Sequence, residues 1–90
     1  ITNDRPTIPD AGIDTTICSA SYILSANNPT IGSGEWSVVN GNAVFVDVNS
    51  HTTTANSLLQ GANILRWTIT NNNCSLADDI IITNDLPDIP

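Results

Sequence analysis

Residues 63–71 read Asn-Ile-Leu-Arg-Trp-Thr-Ile-Thr-Asn, and this stretch constrains the fold more than any other. Leu65, Trp67 and Ile69 recur at every second position, with Arg66, Thr68 and Thr70 between them. A period of two places the apolar set on one face of a β-strand and the polar set on the other. Gly61 precedes the run and Asn71-Asn72-Asn73 follows it, which are turn signals on both sides. The rest of the chain follows the same pattern. Short β-branched or alternating runs span 13–18, 22–26, 35–39, 43–48, 52–58 and 78–83. Turn residues separate them: Asn27 to Gly34 with Pro29, Asn40-Gly41-Asn42, Asn49-Ser50-His51, and Gln60-Gly61-Ala62. No stretch has a helical period. Seven short strands at about 8–12-residue spacing predict an all-β, seven-stranded antiparallel β-sandwich. Tyr22, Leu24, Trp36, Val38, Leu65, Trp67 and Ile69 are its expected core, with Trp36 as anchor. Asn40-Gly41 is expected to turn a hairpin. Val44, Val46 and Val48 oppose Phe45, so that strand is expected to be covered on both sides.

The chain also repeats itself. It ends Ile82-Thr83-Asn84-Asp85-Leu86-Pro87-Asp88-Ile89-Pro90 and begins Ile1-Thr2-Asn3-Asp4-Arg5-Pro6-Thr7-Ile8-Pro9, identical at seven of nine positions at an offset of 81 residues (82 − 1). A tandem array of domain-length repeats accounts for this, with one full unit and a second copy of its junction present. Residues 1–10 are expected to form an inter-repeat linker that Pro6 and Pro9 keep semi-rigid. Residues 11–83 then form the sandwich, and 84–90 start the next linker.

Charge excludes several functions. Arg5 and Arg66 are the only cations against nine carboxylates, for a formal charge of −7. An acidic chain is a poor partner for nucleic acid or anionic membranes, which need a basic patch. No apolar run approaches the ~20 residues of a membrane span. The chain has no signal peptide and does not start with Met, which is the expectation for a piece of a longer exported protein. The absence of Lys rules out Lys–Asn isopeptide cross-links. Cys18 and Cys74 lack zinc-ligand spacing, and only His51 could join them. A disulfide is the default in an exported chain, and two buried free thiols are the alternative. Closing 56 residues (74 − 18) would stabilise the fold by about 4 kcal/mol in the chain-entropy model.

Asp10-Ala11-Gly12-Ile13-Asp14-Thr15-Thr16-Ile17-Cys18 resembles the opening of PKD-like and immunoglobulin-like modules of Bacteroidetes surface proteins. Asn28 to Val39, with Gly34-Glu35-Trp36, and Gly61 to Asn71, with Arg66-Trp67, extend the resemblance from Asp10 to Thr83. It is most similar to the repeats of SprB-type gliding-motility adhesins. The resemblance implies a secreted, multi-repeat adhesin exported by the type IX system and displayed on the bacterial cell surface. The family usually carries both cysteines, which supports a Cys18–Cys74 disulfide. A strand-by-strand meander nevertheless puts the two at opposite ends. Either the register differs near one of them, or Cys18 of one repeat bonds Cys74 of its neighbour; the bond within one unit is the expectation.

No catalytic set emerges. His51 sits beside Thr52, Thr53 and Thr54 without an orienting third group and reads as a solvated loop residue. Asp4, Asp10, Asp14, Asp85 and Asp88 gather near the junctions, where carboxylates and carbonyls suit Ca²⁺. No EF-hand loop accompanies them, so solvated charge is the simpler reading and no metal or other cofactor is expected. Asp14-Thr15-Thr16 matches a short O-glycosylation pattern, and strand-edge threonines are the plainer account. The Asn27–Gly34 loop is a possible binding tip without an aromatic platform for sugars. The leading expectation is a structural stalk repeat whose partners are neighbouring repeats. The alternatives are a module that binds polysaccharide or a solid surface, and an accessory domain of a secreted hydrolase.

Overall fold

The computed structural model describes residues 5–85. All seven expected strands are present in order: β1 (Thr15–Ile17), β2 (Tyr22–Ile23), β3 (Ser33–Asn40), β4 (Val44–Phe45), β5 (Thr54–Asn56), β6 (Gly61–Asn71) and β7 (Cys74–Asn84). Two sheets pack face to face. One has four strands in the order β1-β7-β6-β3, and the other three in the order β2-β5-β4. All ladders are antiparallel except β1 on β7, which is parallel.

β6 and β7 form the spine. They pair over their full length from Gly61↔Asn84 to Asn71↔Cys74. Asn72, at φ 53°, turns the hairpin between them, because Asn tolerates the left-handed region better than other side-chain-bearing residues. The alternation in β6 sends Asn63, Leu65, Trp67 and Ile69 inward, and all four are buried. Ile80 and Ile82 of β7, Trp36 of β3, Leu24, Ala55 and Leu58 meet them in one cluster. Trp36 stands at the centre. Its ring lies 5.0 Å from Trp67 and is stacked 6.1 Å from Phe45, and its indole N–H donates to the Ser50 carbonyl at 3.0 Å. Leu24, Trp36, Leu65, Trp67 and Ile69 are thus buried where periodicity puts them, and Tyr22 packs half-buried against the cluster.

Several expectations give way. Val38 shares the parity of Trp36 but is 39% exposed. β3 is an edge strand, and its ladder slips between Val38 and Asn40, so the pleat that buries Trp36 is lost there. In the expected fourth strand Ala43 and Phe45 pack inward, whereas Val44 and Val46 face solvent. Gly41 has the expected positive φ (86°), yet it turns no hairpin. β3 and β4 belong to different sheets, so Asn40-Gly41 carries the chain across the sandwich. The flank is closed instead by the Trp36 N–H donating to the Val48 carbonyl at 2.7 Å.

The crossing rests on Asn63, which is fully buried. Its Oδ1 accepts from the backbone N–H of Asn42 (3.1 Å) and Leu59 (3.0 Å). Its Nδ2 donates to the carbonyls of Leu59 (2.9 Å), Gly61 (3.2 Å) and Ile82 (3.2 Å). One amide therefore satisfies loop backbone at Asn42 and Leu59 and ties it to strand carbonyls at Gly61 and Ile82.

Candidate functional site

The features that bear on function lie at the two poles of the long β6–β7 axis. The N-terminal segment is not a free linker. Pro6 and Pro9 are buried, and neither has an N–H that needs a partner. The residues between them are bonded. Thr7 donates its N–H to the Ile31 carbonyl (3.1 Å), and its Oγ1 accepts from the N–H of Thr30 (3.0 Å) and Ile31 (2.8 Å). The Asn27 side chain clamps the segment, with Nδ2 donating to the Ile8 carbonyl (2.9 Å) and Oδ1 accepting from the Asp10 N–H (2.8 Å). The folded unit therefore begins before residue 11. In the Asn27–Gly34 loop, expected as a binding tip, Asn27, Thr30 and the Ile31 backbone hold this segment.

At the other pole β7 continues through Asn84, which is buried and donates from Nδ2 to the Leu58 carbonyl at 3.4 Å. Asp85 is still anchored, its N–H donating to the Ile17 carbonyl at 2.7 Å. The folded unit thus extends past residue 83 as well. The parallel pairing of β1 with the end of β7 creates this anchor, since Ile17 stands opposite Asn84.

The cysteines occupy these same poles. Both are free and exposed, which corrects the expected bond within the unit. Cys18 follows Ile17 at the level of Asn84, and Cys74 opens β7. Ten strand residues (84 − 74) separate those levels, roughly 34 Å at the rise of an extended chain, whereas a disulfide needs Cα atoms within about 7 Å. The up-and-down strand order thus puts the two cysteines at opposite ends, and no one-residue shift of register brings them together.

The junction aspartates are likewise dispersed. Asp10 Oδ1 accepts from the Gly12 N–H (3.0 Å), Asp78 Oδ2 from the Ala11 N–H (2.8 Å), and Asp14 Oδ1 from the Ile81 N–H (2.9 Å). Asp10 and Asp85 lie at opposite poles, while Asp4 and Asp88 lie outside the described residues. Among the described residues no group of three His, Cys, Asp or Glu side chains converges as a metal site. An open groove of about 510 Å³ runs beside residues 10–13, Thr15, Tyr22, Ser25 and Ile80. Its one carboxylate, Asp10, is the residue already bonded to Gly12. His51 enters the structure through its carbonyl, which accepts from the Ala26 N–H at 2.9 Å.

The outer face of the larger sheet carries one ion pair. Arg66 Nε and Nη2 donate to the two carboxylate oxygens of Asp79 at 2.8 and 3.2 Å. The hydrogen bonds to Arg66 hold the Asp79 carboxyl below its ordinary value, and those to Asp79 raise the guanidinium. The side chains are 45% and 39% exposed, so solvent screens the pair. An Asp79 pKa lowered in the fold makes the pair's contribution complete above the unfolded carboxylate pKa of about 3.9 and lost as pH falls through the folded value. Arg66→Gln is expected to leave the melting temperature at pH 7 unchanged within error. A drop of several degrees in a thermal scan would contradict the exposed geometry.

Comparison with known proteins matches this architecture. The solution structure of the PKD domain from KIAA 1837 protein superposes with a TM-score of 0.64 over 91% of this chain and 92% of that one, at 19% identity. No family model and no curated protein matches. The chain has an Ig-like, PKD-like β-sandwich fold.

Proposed function

We propose that this unit is a structural spacer, repeated in series in a secreted bacterial surface adhesin, and that its function is to set reach and direction. One observation carries the reading: the folded body accounts for nearly all of the repeated sequence. In an array, Asp85 of one unit takes the place of Asp4 of the next, because Ile82–Asp85 repeats Ile1–Asp4. Asp85 is anchored to Ile17. In the unit, Pro6 is buried and the Thr7 N–H is bonded to Ile31; the second copy of the junction keeps the proline as Pro87 and has Asp88 in the place of Thr7. Only one position lies between Asp85 and that proline, Arg5 in the first copy of the junction and Leu86 in the second. A joint this short leaves little room for the units to swing, in contrast to a flexible linker whose reach grows with its length.

The chemistry of the surface fits the same role. The excess of carboxylates keeps neighbouring filaments apart and soluble. Display on a bacterial cell surface and export by the type IX system rest on the sequence resemblance. A non-catalytic role is supported by the dispersal of the acidic side chains and by the engagement of the loop residues in holding residues 7–10.

Backbone ¹⁵N relaxation on the single unit tests the docked joint. Thr7, Ile8 and Asp10 are expected to show order parameters near the ~0.85 of rigid backbone, like those of β6. Values below about 0.6 at these residues would mean a flexible linker and would overturn the short-joint reading.

A further inference from the structure

The two thiols that fail to meet within one unit are placed to meet between units, and we infer that they form a disulfide across each junction, Cys18 of one repeat to Cys74 of the next. This rests on the tandem reading above. At the C-terminal pole, Cys18 follows the residue that anchors Asp85, one strand spacing of about 4.8 Å from the departing chain. At the N-terminal pole, Cys74 pairs with Asn71. The Gly32 backbone lies against Asn71, its Cα placed so that an added Cβ would sit 3.2 Å from the Asn71 Cβ. Its neighbour Ile31 holds the arriving Thr7. Cys74 is thus about two strand spacings, roughly 10 Å, from Gly32. Both side chains are exposed, so no packing must be broken for them to approach.

Three facts converge here. Each unit carries one thiol per pole, the thiols cannot close within the unit, and the repeat leaves one residue between successive anchors. A bond across the joint would bracket that residue with a second covalent path and remove the remaining swing. The step is thiol–disulfide exchange. The thiolate of one cysteine attacks an external disulfide donor, and the second cysteine displaces the donor thiol from the mixed disulfide. An S–S bond forms between Cys18 and Cys74, the S–S bond of the donor breaks, and the donor takes up the two electrons and two protons to become two thiols.

The test uses a two-unit chain, residues 1–85 followed directly by residues 5–90. One variant keeps only the junction pair, with Cys74→Ser in the first copy and Cys18→Ser in the second. Its complement keeps only the outer pair, with Cys18→Ser in the first copy and Cys74→Ser in the second. Both are incubated with oxidised glutathione and then alkylated. The junction-pair variant is expected to fall from two alkylatable thiols to none, with a Cys18–Cys74 cross-linked peptide on non-reducing digestion. The outer-pair variant is expected to form no intramolecular cross-link. A junction pair that stays alkylatable, or takes up only glutathione, overturns the cross-link. Small-angle scattering of the variant lacking all four cysteines separates the two readings. If that variant is rod-like while the junction thiols stay open, the bond fails and the spacer stands. If it is broadly flexible, the spacer reading fails as well, and with it the premise of the bond.

Discussion

Asn63→Leu is expected to destabilise the unit by roughly 3–6 kcal/mol, a large fraction of the stability available to a chain of this size. The side chain is fully buried, so hydropathy alone would favour leucine there. Its value lies in the five backbone groups it satisfies. Without the amide, the N–H of Asn42 and the N–H of Leu59 lose their acceptor. The carbonyls of Leu59, Gly61 and Ile82 lose a donor. Each buried group left unpaired costs about 1–3 kcal/mol, though water reaching the loop would recover some of that. Gly41 tightens the constraint, because a side chain there would run into Oδ1 and Cα of Asn63, so the loop is shaped around this amide. Urea unfolding followed by tryptophan fluorescence measures the effect. A midpoint within error of the parent would show that Asn63 does not hold the crossing.

Gly34→Ala is expected to cost about 1–3 kcal/mol, against the usual sign for glycine inside a strand. Alanine there normally gains about 0.5–1 kcal/mol by restricting the unfolded chain. Here the φ of Gly34 is not positive, so the backbone is not the obstacle. A Cβ at Gly34 would overlap Cζ2 and Cη2 of the Trp67 ring. Trp67 is fully buried, with the Trp36 ring centre 5.0 Å away, so it has nowhere to retreat. The contact is a diagonal across the β3–β6 ladder, in which Trp36 opposes Trp67 and Gly34 opposes Ile69. Combining Gly34→Ala with Trp67→Phe is expected to recover part of the loss, because the smaller ring vacates that corner. Calorimetry on the two single variants and the double variant reads the coupling. Additive losses would mean that the ring is not what excludes the Cβ.

Much of this fold was legible in the sequence, for a physical reason that also explains the misses. A half-buried strand writes its orientation into a period of two, so Leu65, Trp67 and Ile69 were readable as core. Asn63 is in phase with them but polar, so hydropathy hides it and its parity is the signal. The partition into sheets was not legible. Asn40-Gly41 announces a positive φ, and that conformation serves a crossover as well as a hairpin. Val38 departs from its parity because a slip in the ladder depends on the partner strand, which local pattern does not record. Pro6 and Pro9 suggest a semi-rigid linker because proline fixes φ in an extended chain, yet a residue without an N–H is also well suited to burial at a sheet margin. The repeated termini point to a junction, and the structure adds the hydrogen bonds of Asp85 and Thr7 at the two poles.

Small-angle scattering on chains of one, two and three consecutive units tests the spacer most directly. A joint of one residue predicts a rod whose maximum dimension rises by a constant increment, roughly 35–40 Å per unit from the length of the β6–β7 hairpin. A maximum dimension that grows less than in proportion to unit number, with a broad distance distribution, would mean that the units swing freely, and would contradict the account.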